Sequence, residues 1–368
     1  MLLQEKISLY KDLIKNNLPS FALNNLDVFS GEQSGYRMRA EFGIFHQNTP
    51  NYQVLHFTHD PKTKERIFCH GHFDIATPLI NSLMLALEKF CSKNYEFSHK
   101  LFQIEYLTTT TKQVIISLLF HRKLHEEQDL EKAQQLQEFL LQKNLIPTQE
   151  INIILRARKN KIIVGNNFIK EKFIVDNQEV SLYQVENSFS QPNAQINELM
   201  LNYVKKHAST KNDILELYCG VGNFTMVLAQ IGRKVLATEV NKQAVEFVYK
   251  NLALNNIHNV EVGRISAEEF VQAIYKVRPF RRLEHIDLDS FNFDTVFVDP
   301  PRSGLDQKSC DMISKYPQII YVSCNPQTLV ENLQYLIEQH NYQIKHLALF
   351  DQFPQTSHCE SVAILQRN

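Results

Sequence analysis

Asp213–Thr225 reads DILELYCGVGNFT: an apolar strand, a glycine turn, then a helix expected to run to about residue 230. That order places Gly220 and Gly222 at the carboxyl end of a first strand, where open α/β sheets bind ligands. Downstream, apolar strands alternate with helices: KVLATEV (234–240), a helix to about 254, VEVGRI (260–265), a helix near 267–276, FDTVFVD (293–299), a helix near 307–315, and IIYVSC (319–324). Such alternation predicts a parallel sheet covered by helices on both faces.

Upstream the style differs. Alternating segments YRMRAEFGIF (36–45) and VIISLLFHRKL (114–124) suggest strands, and periodic apolar positions predict helices over 77–92 and 126–142. INIILRAR (151–158) and KIIVG (161–165) read as paired strands turning at Lys159-Asn160. This is an α+β pattern, and it ends at SFSQPNAQ (188–195), where Pro192 precedes an amphipathic helix. Two domains are therefore expected, residues 1–185 and 186–368.

Composition narrows the classes. The 368 residues are 43% hydrophobic with a net charge of -1, which argues against a generally basic, non-specific nucleic-acid binder but leaves room for local basic patches. Six cysteines lie far apart with no C-x-x-C pair, against a zinc knuckle, an iron–sulfur cluster or a disulfide framework. No apolar run approaches the roughly 20 residues that span a bilayer, and MLLQEKISLYKDLIKNN is charged and amphipathic rather than a signal peptide, so a cytoplasmic protein is expected.

The glycine turn is G-x-G-x-x-T, without the third glycine of a dinucleotide site or the lysine of a phosphate loop. A lone G-x-G is equally a tight strand-to-helix turn. Glu239 changes the balance: it closes the next strand, seventeen residues beyond Gly222, where a carboxylate can accept from both hydroxyls of a ribose. A nucleoside cofactor without phosphates fits that pair of features.

FVDPPRSG (297–304) sets Asp299 at a strand end, stiffened by two prolines, with Arg302 after it. The next strand delivers Cys324-Asn325-Pro326 to the same edge. A single cysteine after an apolar strand is usually a core residue, but a strand-ending Asn-Pro turn lifts this one toward the cleft. Glu360, in SHCES before a last apolar strand, is a general base or a solvated loop carboxylate. His358-x-Glu360 suggests a zinc deaminase, yet no P-C-x-x-C follows. Cys219 and Cys359 are given no chemical role.

Together LELYCGVGNFT, FVDPPRSGL, YVSCNP and HCES resemble the RNA 5-methyluridine methyltransferases. SFSQPN (188–193) and SGYRMRAEF (34–42) are similar to further elements of that family, and LFQIEYLTT (101–109) to its tRNA-acting branch. The resemblance implies a class I (Rossmann-like) S-adenosylmethionine-dependent methyltransferase domain preceded by an α+β RNA-binding domain. It implies methylation at C5 of the T-loop uridine of tRNA, with tmRNA carrying a similar loop as a further substrate. By motif, Gln191, Tyr218, Asn223, Glu239 and Asp299, with Gly220 in the turn, match cofactor-binding positions; Cys324 matches the nucleophile and Glu360 the base. No metal, iron–sulfur cluster, membrane or obligate protein partner is implied. Relatives that act on rRNA usually carry an N-terminal β-barrel and a four-cysteine cluster motif, which this chain lacks.

The chemistry suits those residues. C5 of uracil is a poor nucleophile until a thiolate adds to C6, and the C5 proton must later be removed by a base. The thiol must ionise, and Arg302, expected to point into the same cleft, is the cationic candidate to favour that. Arg37 and Arg39, two apart on a strand, are candidates for phosphate contacts, as is the cluster Arg156, Arg158, Lys159 and Lys161; a solvated sheet face is the alternative. Two other functions stay open: a 5-methyluridine methyltransferase acting on rRNA, and a non-catalytic RNA-binding protein with a relic methyltransferase fold.

Overall fold

The computed structural model describes residues 2–19, 21–48, 50–146, 150–208, 210 and 212–367. The chain forms two compact units, one of Met1–Gly31, Phe173–Leu182 and Gln195–Asn368, the other of Glu32–Lys172 and Tyr183–Ala194.

It opens with α1 (Leu3–Asn17) and β1 (Leu26–Phe29). Next come β2 (Arg39–Gln47), β3 (Gln53–His59), β4 (Arg66–Phe68), α2 (Pro78–Lys93), α3 (Tyr95–Ser98), β5 (Leu101–Thr108), β6 (Val114–Phe120), α4 (Glu126–Leu141), β7 (Ile151–Ala157) and β8 (Asn160–Val164). A hairpin of β9 (Phe168–Val175) and β10 (Gln178–Val185) leads to α5 (Ala194–His207). The remainder is β11 (Asp213–Leu217), α6 (Thr225–Leu228), β12 (Val235–Thr238), α7 (Lys242–Leu254), β13 (Val260–Gly263), α8 (Ala267–Ile274), β14 (Phe293–Val298), α9 (Gln307–Ile313), β15 (Gln318–Ser323), α10 (Pro326–His340), β16 (Tyr342–Phe350) and β17 (Glu360–Arg367).

The larger unit holds one eight-stranded sheet in the order β1-β16-β17-β15-β14-β11-β12-β13. Its pairings are parallel except that β17 runs antiparallel to both β15 and β16. The carboxyl ends of β11, β12, β14 and β15 and the amino end of β17 therefore meet at one edge, the edge that binds ligands in sheets of this kind. The strands are buried on both faces, as parallel sheets between helices are.

Two expectations need correction. The chain does not divide at 185/186, because residues 1–31 pack with the second half. The cause is non-local: β1 extends the sheet beside β16, with Leu26 opposite Leu347, and Tyr10 and Ile14 of α1, with Leu18 just after it, join a core with Leu333, Leu336 and Leu349. The hairpin tip belongs there too, held by Glu198 on the Ile174 amide (2.7 Å), Asn202 on the Asp176 amide (2.9 Å) and Asn255 on the Ser181 amide (2.9 Å). Second, the helix after the glycine turn is the single turn α6 rather than one reaching 230. Gly220 and Gly222 have φ of +57° and +94°, which no helix accommodates, and the Asn259 side chain takes up the carbonyls of Ala229 and Gly232 as the chain leaves α6.

The smaller unit is built on a seven-stranded sheet in the order β4-β3-β2-β5-β6-β7-β8. α2 and α4, which start and stop within two residues of the predicted helices, cover it through Leu83, Leu87, Ala133, Leu136 and Leu140. β7 and β8 pair as expected, with Lys159 turning at φ +61°. β6 is buried along nearly its whole length rather than alternately, because Ile115 on its other face packs with Leu107, Ile154 and Ile169.

Candidate active site

The site is built at the edge where β11, β12, β14, β15 and β17 converge. Tyr218, just past β11, holds a left-handed φ of +62°, a conformation that a non-glycine residue adopts at a cost and that clusters at functional sites. It turns the chain so that the Cys219 amide donates to the Thr238 carbonyl at 3.0 Å and the Gly220 amide to Glu239 Oε2 at 3.1 Å. Glu239 Oε1 accepts from the amides of Val240 (2.7 Å) and Asn241 (2.8 Å), and Asn241 then caps α7. The Glu239 carboxylate is thus pinned beside the glycine turn by backbone.

A Cβ on Gly220 would meet no atom of the described residues within 4 Å, so the turn faces open space. At Gly222 it would come within 3.1 Å of the Met226 methyl. Asn223 exchanges two 2.9 Å hydrogen bonds with Asn197 of α5. Beneath the turn lies Glu216, 1% exposed, accepting from Thr225 Oγ1 at 2.6 Å; burial, with Asp299 nearby, pushes its carboxyl up to about 8. Sequence reading passed over Glu216, although a glutamate inside an apolar strand is itself a signal, since such a group is seldom buried unpaired. These features fit a ribose-bearing cofactor: carboxyl groups at the ends of adjacent strands, and a glycine face with nothing against it.

Asp299 follows β14, next in line, and burial pushes its carboxyl up to about 7. Its loop is fastened to α10. The Asn325 Nδ2 donates to the Arg302 carbonyl at 2.9 Å, Asn332 Oδ1 accepts from the Leu305 amide at 2.9 Å, and Gly304, at φ +70°, leaves no room for a side chain against Asn332 and Thr328. The Arg302 side chain is exposed at this edge.

Cys324 sits between β15 and α10. Asn325 caps that helix through the Gln327 amide (3.2 Å), and Pro326 fills its first position. Of the six thiols Cys324 is half-buried and the other five, Cys219 and Cys359 among them, are buried. Burial raises the Cys324 thiol, Glu360 and Asp299 raise it further, and Arg302 pulls it down. The net direction is upward, chiefly through burial: Arg302 lowers the thiol as expected but does not bring it below its ordinary value. The start of α10 adds partial positive charge on the side of the thiolate.

Glu360 opens β17, 3% exposed, and is no solvated loop carboxylate. Burial, with Asp299 beside it, holds it well above the usual carboxylate range, while Arg302 acts the other way. Cys324, Asp299, Arg302 and Glu360 therefore form one electrostatic group.

Three candidate residues belong to the other unit: Gln191, Arg37 and Arg39. Arg37 Nε donates to the Arg39 carbonyl at 2.7 Å, and burial lowers the pKa of its guanidinium. Arg39 donates to the Ser188 carbonyl and lies 3.9 Å from Glu41. Both arginines are half-buried and engaged internally, unlike the open phosphate ligands expected. In the second basic cluster Glu186 takes Arg156 (3.1 Å) and Lys161 (2.7 Å), leaving Arg158 and Lys159 exposed.

Among the described residues no group of three or more His, Cys, Asp or Glu is placed to hold a metal ion, and no helix is long and apolar enough to cross a membrane.

Known proteins match throughout. A family model described as tRNA (Uracil-5-)-methyltransferase matches residues 2–368. A protein of Proteus mirabilis named tRNA/tmRNA (uracil-C(5))-methyltransferase is 42% identical over 99% of this chain and 97% of its own. One of the same name from Histophilus somni is 46% identical over 91% and 89%. Among solved structures, the Pyrococcus abyssi tRNA (uracil-54, C5)-methyltransferase, crystallised with S-adenosyl-L-homocysteine, superposes with a TM-score of 0.71 over 99% of this chain and 84% of that one, at 20% identity. That likeness bears out the class I fold expected of the second half.

Proposed function

The chain belongs to the tRNA (uracil-5-)-methyltransferase family, and from this we propose that Cys324 and Glu360 carry the methylation of uridine C5 in tRNA through a covalent adduct. The activity itself is S-adenosylmethionine-dependent transfer to tRNA and tmRNA uracil C5. We infer the T-loop uridine of the T-arm as its target, with tmRNA served through a similar loop. The observation that carries the covalent reading is the meeting of a half-buried thiol, Cys324, with a buried carboxyl, Glu360, at the cofactor edge.

S-Adenosylmethionine, when bound, supplies the electrophilic methyl group. Glu239 and Asp299, at the ends of β12 and β14, would hold its ribose and adenosine side, with the Gly220 backbone against it and Tyr218 and Asn223 flanking the turn. A folded loop hides the faces of its uridine, so the base must leave the stack to reach this edge. The Cys324 thiolate then adds to C6, and the ring electrons move to C5 and O4 as an enolate. C5 takes the methyl group. Glu360, as carboxylate, removes the remaining C5 proton, the C5–C6 double bond re-forms, and the thiolate leaves. A carboxyl group held above its ordinary range is a stronger base for a carbon-bound proton than a solvated one. Arg302 favours the ionised forms of both Cys324 and Glu360.

Incubating the protein with methyl-labelled S-adenosylmethionine and unmodified bulk tRNA, then digesting to nucleosides, tests the function. Label in 5-methyluridine is the expected result; label in 5-methylcytidine, or no label in the tRNA, would contradict it.

A further inference from the structure

Lysine is seldom buried unless paired, yet Lys6 on α1 is 3% exposed. It lies on the stripe of Tyr10 and Ile14, four and eight residues on, the face that α1 turns to the core. Its ammonium pairs with Asp351, itself 1% exposed, and donates to the carbonyls of Phe353 at 3.1 Å and His358 at 2.7 Å. An ammonium has three protons to donate, and each finds a partner in the segment 351–359 that links β16 to β17.

That segment delivers Glu360. Lys6 grips it at both ends, at Asp351 and Phe353 where β16 has just finished and at His358, two residues before Glu360. Between those points the turn is maintained locally, with Thr356 Oγ1 donating to the Phe353 carbonyl at 2.8 Å and accepting from the His358 amide at 3.1 Å. The Asp351 amide is fixed in turn to the Phe29 carbonyl of β1 at 2.8 Å. The N-terminal segment that folds with this unit thus supplies both anchors.

We propose that Lys6 is a positioning residue for Glu360: through it α1 clamps the 351–359 segment and fixes the carboxylate that clears the C5 proton. This rests on reading Glu360 as the base. A stability role alone makes a different forecast, because a buried ion pair can be exchanged for well-packed apolar residues without loss of the fold. A positioning role does not survive that exchange.

The test follows protein–RNA adduct formation and decay on denaturing gels, using the full chain, S-adenosylmethionine and a T-arm RNA. Lys6→Met is expected to form adduct near the parent rate and to clear it about 10- to 100-fold more slowly, the scale of a small misplacement of a reacting group. Cofactor affinity should stay unchanged, and Lys6→Arg should recover most of the clearance. Lys6→Met/Asp351→Leu should be folded and still slow. Clearance at the parent rate in Lys6→Met or in the double variant would overturn the proposal, as would an equal slowing of formation and clearance. Loss of the fold in both would leave Lys6 a stability residue and overturn it too. Glu360→Gln is the control: if its adduct clears normally, Glu360 is not the base; if it persists while Lys6→Met clears normally, only the role of Lys6 fails.

Discussion

Cys324, one residue past β15, and Glu360, the first residue of β17, adjoin Ser323 and Ser361, which face each other in the antiparallel β15–β17 ladder. The reversed strand β17 therefore brings a carboxyl group from near the end of the chain to the thiol. Had β17 run parallel to β15, Glu360 would open it at the opposite edge of the sheet.

This adjacency predicts the pH dependence. Burial and two acids hold the Cys324 thiol up, burial and Asp299 hold Glu360 up, and Arg302 lowers both. Both groups act deprotonated, so the single-turnover rate should climb with pH. Arg302→Gln removes the cation and should move the rising limb to higher pH. Asp299→Asn removes a negative neighbour and should move it lower, whatever its effect on amplitude. Shifts in the reverse directions would show that these charges do not govern the reacting groups.

Gly220→Ala separates binding from folding. The residue sits at φ +57° with nothing of the described protein near a Cβ, so alanine should cost only about 1 kcal/mol of stability. Its methyl group would stand where the cofactor must approach, and the Kd for S-adenosylmethionine should rise by about tenfold or more, at 1.4 kcal/mol per decade. Calorimetry checks this; an unchanged Kd would place the cofactor away from the turn.

Glu216 predicts a trend in stability. Its carboxyl is raised from 4.5 to about 8 by burial, with Asp299 adding to the rise. The unfolded chain ionises first, so the stability this group contributes is complete below about pH 4.5 and is lost as pH rises through about 8. The loss is on the order of 5 kcal/mol. Urea unfolding at pH 5 and pH 8 should show a smaller decline for Glu216→Gln than for the parent. Equal declines would mean that Glu216 is not held neutral.

The sheet and its edge were legible because they are written locally: apolar strands, the turn Gly220-x-Gly222, and motifs that each end a strand at Glu239, Asp299 or Cys324. What escaped was non-local or electrostatic. The pairing of Leu26 with Leu347 spans most of the chain, and no periodicity near residue 26 announces it. Lys6 looked like one more charge in an amphipathic segment, and only the fold shows it on the buried stripe of a helix. Arg302 was the cation expected beside Cys324, whereas the burial of the thiol and the approach of Glu360 and Asp299, which make its net shift upward, arise only through folding.

The central claim is the covalent role of Cys324, and a T-arm RNA with 5-fluorouridine at the target position tests it most directly. Fluorine leaves no proton on C5 for Glu360 to take, so an adduct that has accepted the methyl group cannot collapse. Peptide mapping by mass spectrometry should find the methylated nucleotide on Cys324, with Cys324→Ala giving neither adduct nor methylated RNA while still binding S-adenosylmethionine. An adduct mapped to another residue, or turnover retained in Cys324→Ala, would contradict the account.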